Sequence, residues 1–255
     1  MTVFDRDPVA YEAVRPSYPD ALVDDVVALA QLSPGAPVLE VGSGTGQATR
    51  LFLARGFVVT AVEAGPALAA ATRRLGADVR VGRFEELALD ELAMAGGWPL
   101  VYAATSWHWI DPARGYARAR ALLAGGGALA LFWNEHVRGA DDVGFFDATQ
   151  DLYEAAGMGR ERLKPSTQLH DRTAEIVASG DFGDVVRHQY PWHADYDART
   201  YARLLGTYSD HLRLPDDVRG TLLDGIATLI EQKFGGRIRK HYVADLYVAR
   251  AITRA

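Results

Sequence analysis

An α/β fold built on a doubly wound, mostly parallel sheet is predicted by three observations. Short apolar runs alternate with helix-length amphipathic stretches through the first 135 residues, the first run ends in the glycine-rich turn "GSGTG", and the second ends in a carboxylate, Glu63. Strands alternating with helices of about 10–15 residues require crossover connections, and such connections build parallel sheets.

The elements follow in order. "PDALVDDVVALAQL" sets Leu22, Val23, Val26, Val27, Leu29 and Ala30 on one helical stripe, and Ser33-Pro34-Gly35 closes it. "PVLEVG" is the first strand, and "GQATRLFLARG" is a helix ended by Gly56. "FVVTAVE" is the second strand, and "GPALAAATRRLG" carries Pro66 in its first turn and Gly76 just past its last, the usual helix asymmetry. "ADVRVG", "PLVYAAT" and "GALALFW" supply three more strands, with "DPARGYARARALLAGGG" the helix before the last of them. In the second half "DDVGFFDATQDLYEAAG" reads as helix, "DVVRHQYPW" as a sixth strand, "ARTYARLLGTYSDHL" and "DDVRGTLLDGIATLIEQ" as helices, and "RIRKHYVADLYVAR" as a seventh strand. The expectation is one domain over 1–255: a core over 1–135, lid helices with the sixth strand over 136–236, and the last strand over 237–250.

Composition narrows the chemistry. The 255 residues are 49% hydrophobic, enough to bury one full core. With no cysteine, disulfides, thiolate metal sites and cysteine nucleophiles are excluded, and the histidines lack ligand spacing, so no metal site is expected. A formal charge of -6 opposes tracking of a phosphate backbone, so nucleic acid is not an expected partner. The N-terminus "MTVFDRDPVAYEAVRPSYP" has acids and prolines where a signal peptide needs an apolar core, and no run approaches the roughly 20 apolar residues of a membrane span. A cytoplasmic protein, monomeric or homodimeric, is expected. Three lysines against 24 arginines accord with a GC-rich bacterial genome, an association without physical content.

In open α/β sheets ligands bind beyond the carboxyl ends of the strands, where strand order reverses, and the first strand lies there. Gly42, Gly44 and Gly46 stand at that end, where glycine permits positive φ and close approach to the backbone. A plain strand-to-helix turn is the competing reading. The dinucleotide spacing G-x-G-x-x-G is not met, because Gln47 occupies its last position. A nicotinamide-dependent oxidoreductase is thereby disfavoured. Glu63 ends the second strand, where a carboxylate can accept both hydroxyls of a ribose or stand as a solvated acid, and "RFEEL" after the third strand sets Phe84 where an adenine ring can lie and Glu85 within reach of its exocyclic amine.

At this point the sequence resembles the class I S-adenosylmethionine-dependent methyltransferases. The resemblance runs through "VLEVGSGTGQATRLFLARGFVVTAVEAGPALAAA", "RFEEL" and "VYAATSWHWIDPARGYARARALLAGGGALALFWN", and back to "YEAVRPSYP". Within the family it is most similar to the small-molecule branch of trans-aconitate methyltransferase-like enzymes, which share the "HW" or "QW" pair. It implies a Rossmann-like fold, a cofactor-binding core over 1–135, S-adenosylmethionine as cofactor with S-adenosylhomocysteine as product, and a small-molecule acceptor. It also carries roles onto Glu40, Gly42, Gly44, Thr45 and Gly46 at the glycine loop, with Glu40 toward the methionine amino group. Glu63 and Ala64 fall at the ribose, Phe84 and Glu85 at the adenine, Ala104 and Thr105 along the cofactor, and Trp107 and His108 at the mouth. Tyr11 and Arg15 fall near the methionine carboxylate, with surface ion pairing the competing reading for the arginine. The family's usual aspartate opening the fourth strand is replaced by Pro99, a strand-start position away from the pocket.

A methyl group on a sulfonium is already activated, so catalysis is chiefly alignment and exclusion of water, and a general base is needed only for an acceptor that must lose a proton. His108 and His136 are the base candidates, and a packed histidine hydrogen-bonded to backbone is the commoner reading of each. Trp107, Asn134, Tyr208 and His211 are the candidate acceptor contacts, and an amphipathic helix accounts for the last two as well. The expected function is methyl transfer to an oxygen, nitrogen or carbon nucleophile of a metabolite. The alternative is a protein that binds the cofactor without transferring methyl, as a cyclase, pericyclase or regulatory module on the same fold.

Overall fold

The structure is a computed structural model that describes residues 12, 14–139, 144–159 and 163–252. Its strands are β1 (Pro37–Val41), β2 (Val58–Glu63), β3 (Asp78–Val81), β4 (Trp98–Ala104), β5 (Leu123–Val137), β6 (Phe182–Asp197) and β7 (Arg237–Ala251). They form one sheet in the order β3-β2-β1-β4-β5-β7-β6. β1 to β5 pair in parallel, and β7 lies antiparallel between β5 and β6. Strand order reverses between β1 and β4, which opens a crevice beyond their carboxyl ends.

The helices are α1 (Asp20–Leu29), α2 (Thr49–Ala54), α3 (Pro66–Arg74), α4 (Leu89–Leu92), α5 (Pro112–Leu122), α6 (Phe145–Ala155), α7 (Thr173–Ala178), α8 (Ala198–Leu205), α9 (Ser209–Leu212) and α10 (Asp216–Lys233). α3 has Pro66 in its first turn and Arg73 and Arg74 in its last, where positive charge meets the carbonyl end of the helix dipole. The α5 N-terminus is capped by Asp111, whose carboxylate accepts the Ala113 N–H.

Period-2 alternation divides each central strand between two apolar layers. Leu100, Tyr102, Phe132 and Leu246 face α1 and α2, where Leu22, Val26 and Phe52 meet them. Val101, Ala103, Leu129 and Tyr247 face the other side with Trp107 and Leu122. A third cluster gathers Phe145, Tyr201, Leu204, Ile226, Ile230 and Ile238 from α6, α8, α10 and the start of β7. This last cluster gives the helices between β6 and β7 a core of their own, beside the crevice.

Several boundaries differ from the sequence expectation. The helix after β1 begins only at Thr49, because residues 44–48 are wound into turns at the strand end. β5 continues to Val137, since every residue from Ala128 to Val137 finds a partner on β7. β6 likewise extends to Asp197 and carries Pro191 within it; an edge strand tolerates the missing N–H. The single helix expected over 198–212 is two, α8 and α9, broken at Gly206-Thr207-Tyr208, where the Thr207 hydroxyl turns back to the Leu204 carbonyl at 2.6 Å. The Pro99 departure is a local matter: it lies near the amino end of β4, and the register with β5 shifts between Trp98 and Leu100.

Phe132 ties the first layer to the sheet. It is fully buried, with the Tyr18 ring edge-on at 4.9 Å and Tyr102 parallel to it at 6.3 Å. Phe132→Ala is expected to destabilise the protein by about 3–5 kcal/mol, read as a lower denaturant midpoint at unchanged slope.

Candidate active site

Two cavities meet at the carboxyl ends of β1 and β4. The larger, about 640 Å³, is bounded by Glu63 and Ala64 after β2, Phe84 and Glu85 after β3, Ser106 and His108 after β4, and Asp210 and Arg213 of the α9 region. The smaller, about 240 Å³, is bounded by Tyr18, Glu40, Asn134, His136, Lys240 and Tyr242. Arg15, Gly42, Gly44, Thr105 and Tyr208 line both.

The wall they share is backbone brought close. Gly42 has φ +73°, and a Cβ there would lie 2.5 Å from Ser106 Cβ, so only glycine fits between the β1 and β4 loops. Ser106 is held against that wall, its hydroxyl donating to the Val41 carbonyl at 2.5 Å. Thr105 adopts φ +52°, an uncommon conformation for a β-branched residue, and is fixed by a 2.7 Å hydrogen bond with the Tyr18 hydroxyl and by its N–H to the Phe132 carbonyl at 2.8 Å.

Glu63 joins the loops after β1 and β2. Its Oε2 accepts the Gly44 N–H and its Oε1 the Gly65 N–H, both at 2.8 Å. Glu63 also lines the larger cavity, so the same carboxylate that joins the loops borders the ligand space. Glu40 is buried, and its Oε2 accepts the Thr49 hydroxyl at 2.5 Å and the Tyr102 hydroxyl at 2.9 Å. Burial pushes its carboxyl up to about 7, the two hydroxyl bonds oppose that, and the Glu63 charge adds to it.

Most predicted residues converge here. Arg15, Gly42, Gly44, Glu63, Ala64, Phe84, Glu85, Thr105 and His108 line the larger cavity, and Glu40, Ala104, Asn134 and His136 the smaller. Glu85 is only partly available, since its Oε1 already accepts the Asp111 N–H at 3.2 Å. Arg15 reaches the break between α8 and α9, donating from Nε to Thr207 Oγ1 at 2.9 Å and from Nη2 to the Thr207 carbonyl at 2.7 Å.

Four predicted residues stand elsewhere. Thr45 is buried and donates to Gln47 Oε1 at 2.8 Å, and Gly46 packs against Leu75. Trp107 is buried between Phe84 and Tyr116, with ring centroids 6.1 and 5.3 Å away, and Trp109, nearly half exposed, lines the cavity in its place. His211 is buried behind Tyr208, with Nδ1 2.8 Å from Asp210 and Nε2 3.4 Å from the Tyr153 hydroxyl. Tyr11 lies outside the described residues.

Both candidate histidines line a cavity, each in a defined setting. His108 Nδ1 is 3.2 Å from Trp133 Nε1; an indole N–H only donates, so Nδ1 accepts and Nε2 carries the proton. The basic lone pair thus points at Trp133. Burial, and then the Arg172 and Arg15 charges, hold this imidazole below its ordinary range. His136 is held well below that range by burial and by the Lys240 and His241 charges, so it stays neutral and weakly basic; its Nε2 has no partner among the described residues.

Lys240, Tyr242 and Tyr18 were not singled out in the sequence. A signal existed: Ile238, Lys240 and Tyr242 occupy alternate positions of the last strand, all buried, which sets a cation on its inward face. Among the described residues no group of three or more His, Asp or Glu could hold a metal ion, and no helix is long and apolar enough to cross a membrane.

The donor set fits a nucleoside carrying an amino-acid tail: a carboxylate for ribose, an apolar slot beside Phe84, and a second carboxylate facing a guanidinium across the junction. Comparison with known proteins agrees. Residues 39–131 match the family described as "Methyltransferase domain". The chain is similar to the uncharacterized methyltransferase Rv3342 of Mycobacterium tuberculosis, 30% identical over 225 residues covering 87% of this chain and 82% of the relative. A methyltransferase-like protein of Schizosaccharomyces pombe is 24% identical over 90% of this chain and 88% of its own length. Among solved structures, a SAM-dependent methyltransferase from Geobacter sulfurreducens in complex with S-adenosyl-L-homocysteine shares the fold, with a TM-score of 0.53 and 15% identity over 98% of both chains.

Gly42→Ala tests the shared wall. A left-handed alanine and the displaced Ser106 should lower unfolding stability by about 1–3 kcal/mol, measured by denaturant titration.

Proposed function

The chain belongs to the class I S-adenosylmethionine-dependent methyltransferases, and on that premise we propose that it methylates an oxygen, nitrogen or carbon nucleophile of a small molecule by in-line displacement. The carrying observation is the junction: five residues line both cavities, so a ligand extended through the larger one presents its end to an acceptor in the smaller one. A small acceptor is supported by the size of that second cavity, about 240 Å³, and by the chain's net charge of -6, which disfavours nucleic acid.

S-adenosylmethionine supplies a methyl group activated on a sulfonium. Alignment and exclusion of water are what remain for the protein. Glu63, at the wall of the larger cavity, would accept the ribose hydroxyls. Phe84 and Ile110 would border the adenine, with Glu85 near its amine. Glu40 Oε1, free of the hydroxyl bonds on Oε2, would meet the methionine ammonium, and Arg15 its carboxylate. Ala104 and Thr105 would run beside the tail, while Asn134, His136, Lys240 and Tyr242 would face the acceptor. His108, with its proton on Nε2, would donate a hydrogen bond into the larger cavity instead of taking a proton.

Calorimetric titration with S-adenosylmethionine, S-adenosylhomocysteine and NAD, each alone, tests the reading: binding of the two sulfur compounds without NAD is expected, and NAD binding alone would overturn it. Glu63→Ala removes charge-assisted hydrogen bonds worth about 1.5–3 kcal/mol, so S-adenosylhomocysteine affinity should fall roughly 10- to 100-fold.

The pH dependence follows from Glu40. In the free protein its carboxyl sits near 7, and an ammonium beside it favours the charged form. Below that pH, binding must expel a proton. S-adenosylhomocysteine affinity should therefore drop by up to about tenfold per pH unit below 7 and level off above it, and Glu40→Gln should flatten the profile.

A further inference from the structure

Lys240 is buried to 2% exposure and lines the smaller cavity. Among the described residues no carboxylate pairs with it, although a buried cationic side chain without a counter-charge is costly. What surrounds it is tyrosine. Its Nζ donates to the Tyr208 hydroxyl oxygen at 2.8 Å and stands 4.9 Å from the Tyr208 ring, 5.3 Å from that of Tyr242 and 5.7 Å from that of Tyr201. The Arg15 guanidinium lies 4.7 Å over the Tyr208 ring, fastened to Thr207 next to it. Tyr208 thus meets two cationic side chains from opposite ends of the chain, at the boundary both cavities share.

We propose that Tyr208, hydrogen-bonded to Lys240 and lying under the Arg15 guanidinium, takes the proton of the acceptor in its phenolate form, and that the acceptors are accordingly compounds that must lose a proton to be methylated, hydroxyls, phenols or carbon acids, and not carboxylates. The inference rests on the methyl-transfer reading above. In the step, the acceptor's O–H or C–H bond breaks with the proton passing to Tyr208 Oη. The electron pair stays on the acceptor atom and forms its bond to the methyl carbon, while the carbon–sulfur pair withdraws onto sulfur. Phenolate and sulfonium are both consumed, so charge balances, and the phenol returns its proton to solvent.

The charged and titratable neighbours all bear on this. Burial pushes the Tyr208 phenol up, but the Lys240 and Arg15 charges, with hydrogen bonds from Lys240 and Tyr242, turn the balance downward. Tyr196 from β6, Tyr201 from α8 and Tyr242 from β7 face it as neutral phenols, each pushed up by its own burial. His211 packs against its ring at 5.9 Å with its Nδ1 engaged by Asp210. His136 on β5, lining the same cavity, stays neutral. No other described tyrosine with a resolved shift moves down, which makes this one separable by spectrum.

The test is an ultraviolet pH titration of tyrosinate absorbance on the intact, cofactor-free protein, with S-adenosylhomocysteine binding measured alongside. One tyrosine of the 11 should ionise at least about one pH unit below the ordinary value near 10. Tyr208→Phe should delete that step, and Lys240→Met, which replaces the buried cation with an apolar chain of similar length, should move it up by more than one unit. Titration of every tyrosine at or above the ordinary value, or a low step that survives in Tyr208→Phe, overturns the proposal and leaves the counter-charge of Lys240 to be brought by a ligand. The parent titration alone decides the matter if either variant fails to fold. Normal S-adenosylhomocysteine binding with no low step sinks the phenolate and spares the methyltransferase site; absent binding sinks the reading of the site itself.

Discussion

Glu40 and Glu63 are carboxylates buried at the ends of neighbouring strands, and removal from water penalises charge on both. The structure meets that penalty in two ways. Glu63 takes two backbone N–H groups, which fixes the loops after β1 and β2 relative to each other. Glu40 has only hydroxyls from Thr49 and Tyr102, and its carboxyl shifts toward the neutral form. Arg15 and Lys240 line the smaller cavity together with Glu40, so that cavity holds both signs of charge, and a ligand with both ammonium and carboxylate groups complements it.

The reversed strand explains how the cation arrives. In a parallel sheet only the carboxyl end of each strand reaches the crevice. β7 runs the other way, so its beginning lies beside the end of β5: His136 opposes Tyr242 and Val137 opposes His241. Lys240, near the start of β7, is delivered to the same edge as Glu40 by this inversion alone. A lysine carried by a seventh parallel strand would need to sit at its other end.

The helices between β6 and β7 complete the enclosure. A third apolar cluster joins α8 and α10 to α6 and to Tyr196 and Ile238 of β6 and β7, beside the crevice. The break between α8 and α9 exposes the Thr207 carbonyl and hydroxyl, and Arg15 binds both. That contact spans 192 residues of sequence. It closes the segment before α1 over the junction and sets Tyr208, the next residue, against Lys240.

By itself the sequence determined the strand and helix alternation, the position of the glycine turn and the identity of the acidic strand ends, because each is written in local periodicity or in a residue whose chemistry is local. All seven strands are readable in this way, and so are Gly42, Glu63 and Phe84 at the larger cavity. Side-chain direction in a three-residue turn is not local. Trp107 and Trp109 are two residues apart in "SWHWI", yet one is buried against Phe84 and the other lines the opening, a choice made by packing on α5. The orientation of His108, fixed by an indole 25 residues away, and the meeting of Arg15, Tyr208 and Lys240 depend on three separate chain segments. Only the tertiary structure decided these, because hydrogen bonds and charge pairs between distant segments leave no period in the sequence, and a buried lysine differs from an exposed one only by what folds over it.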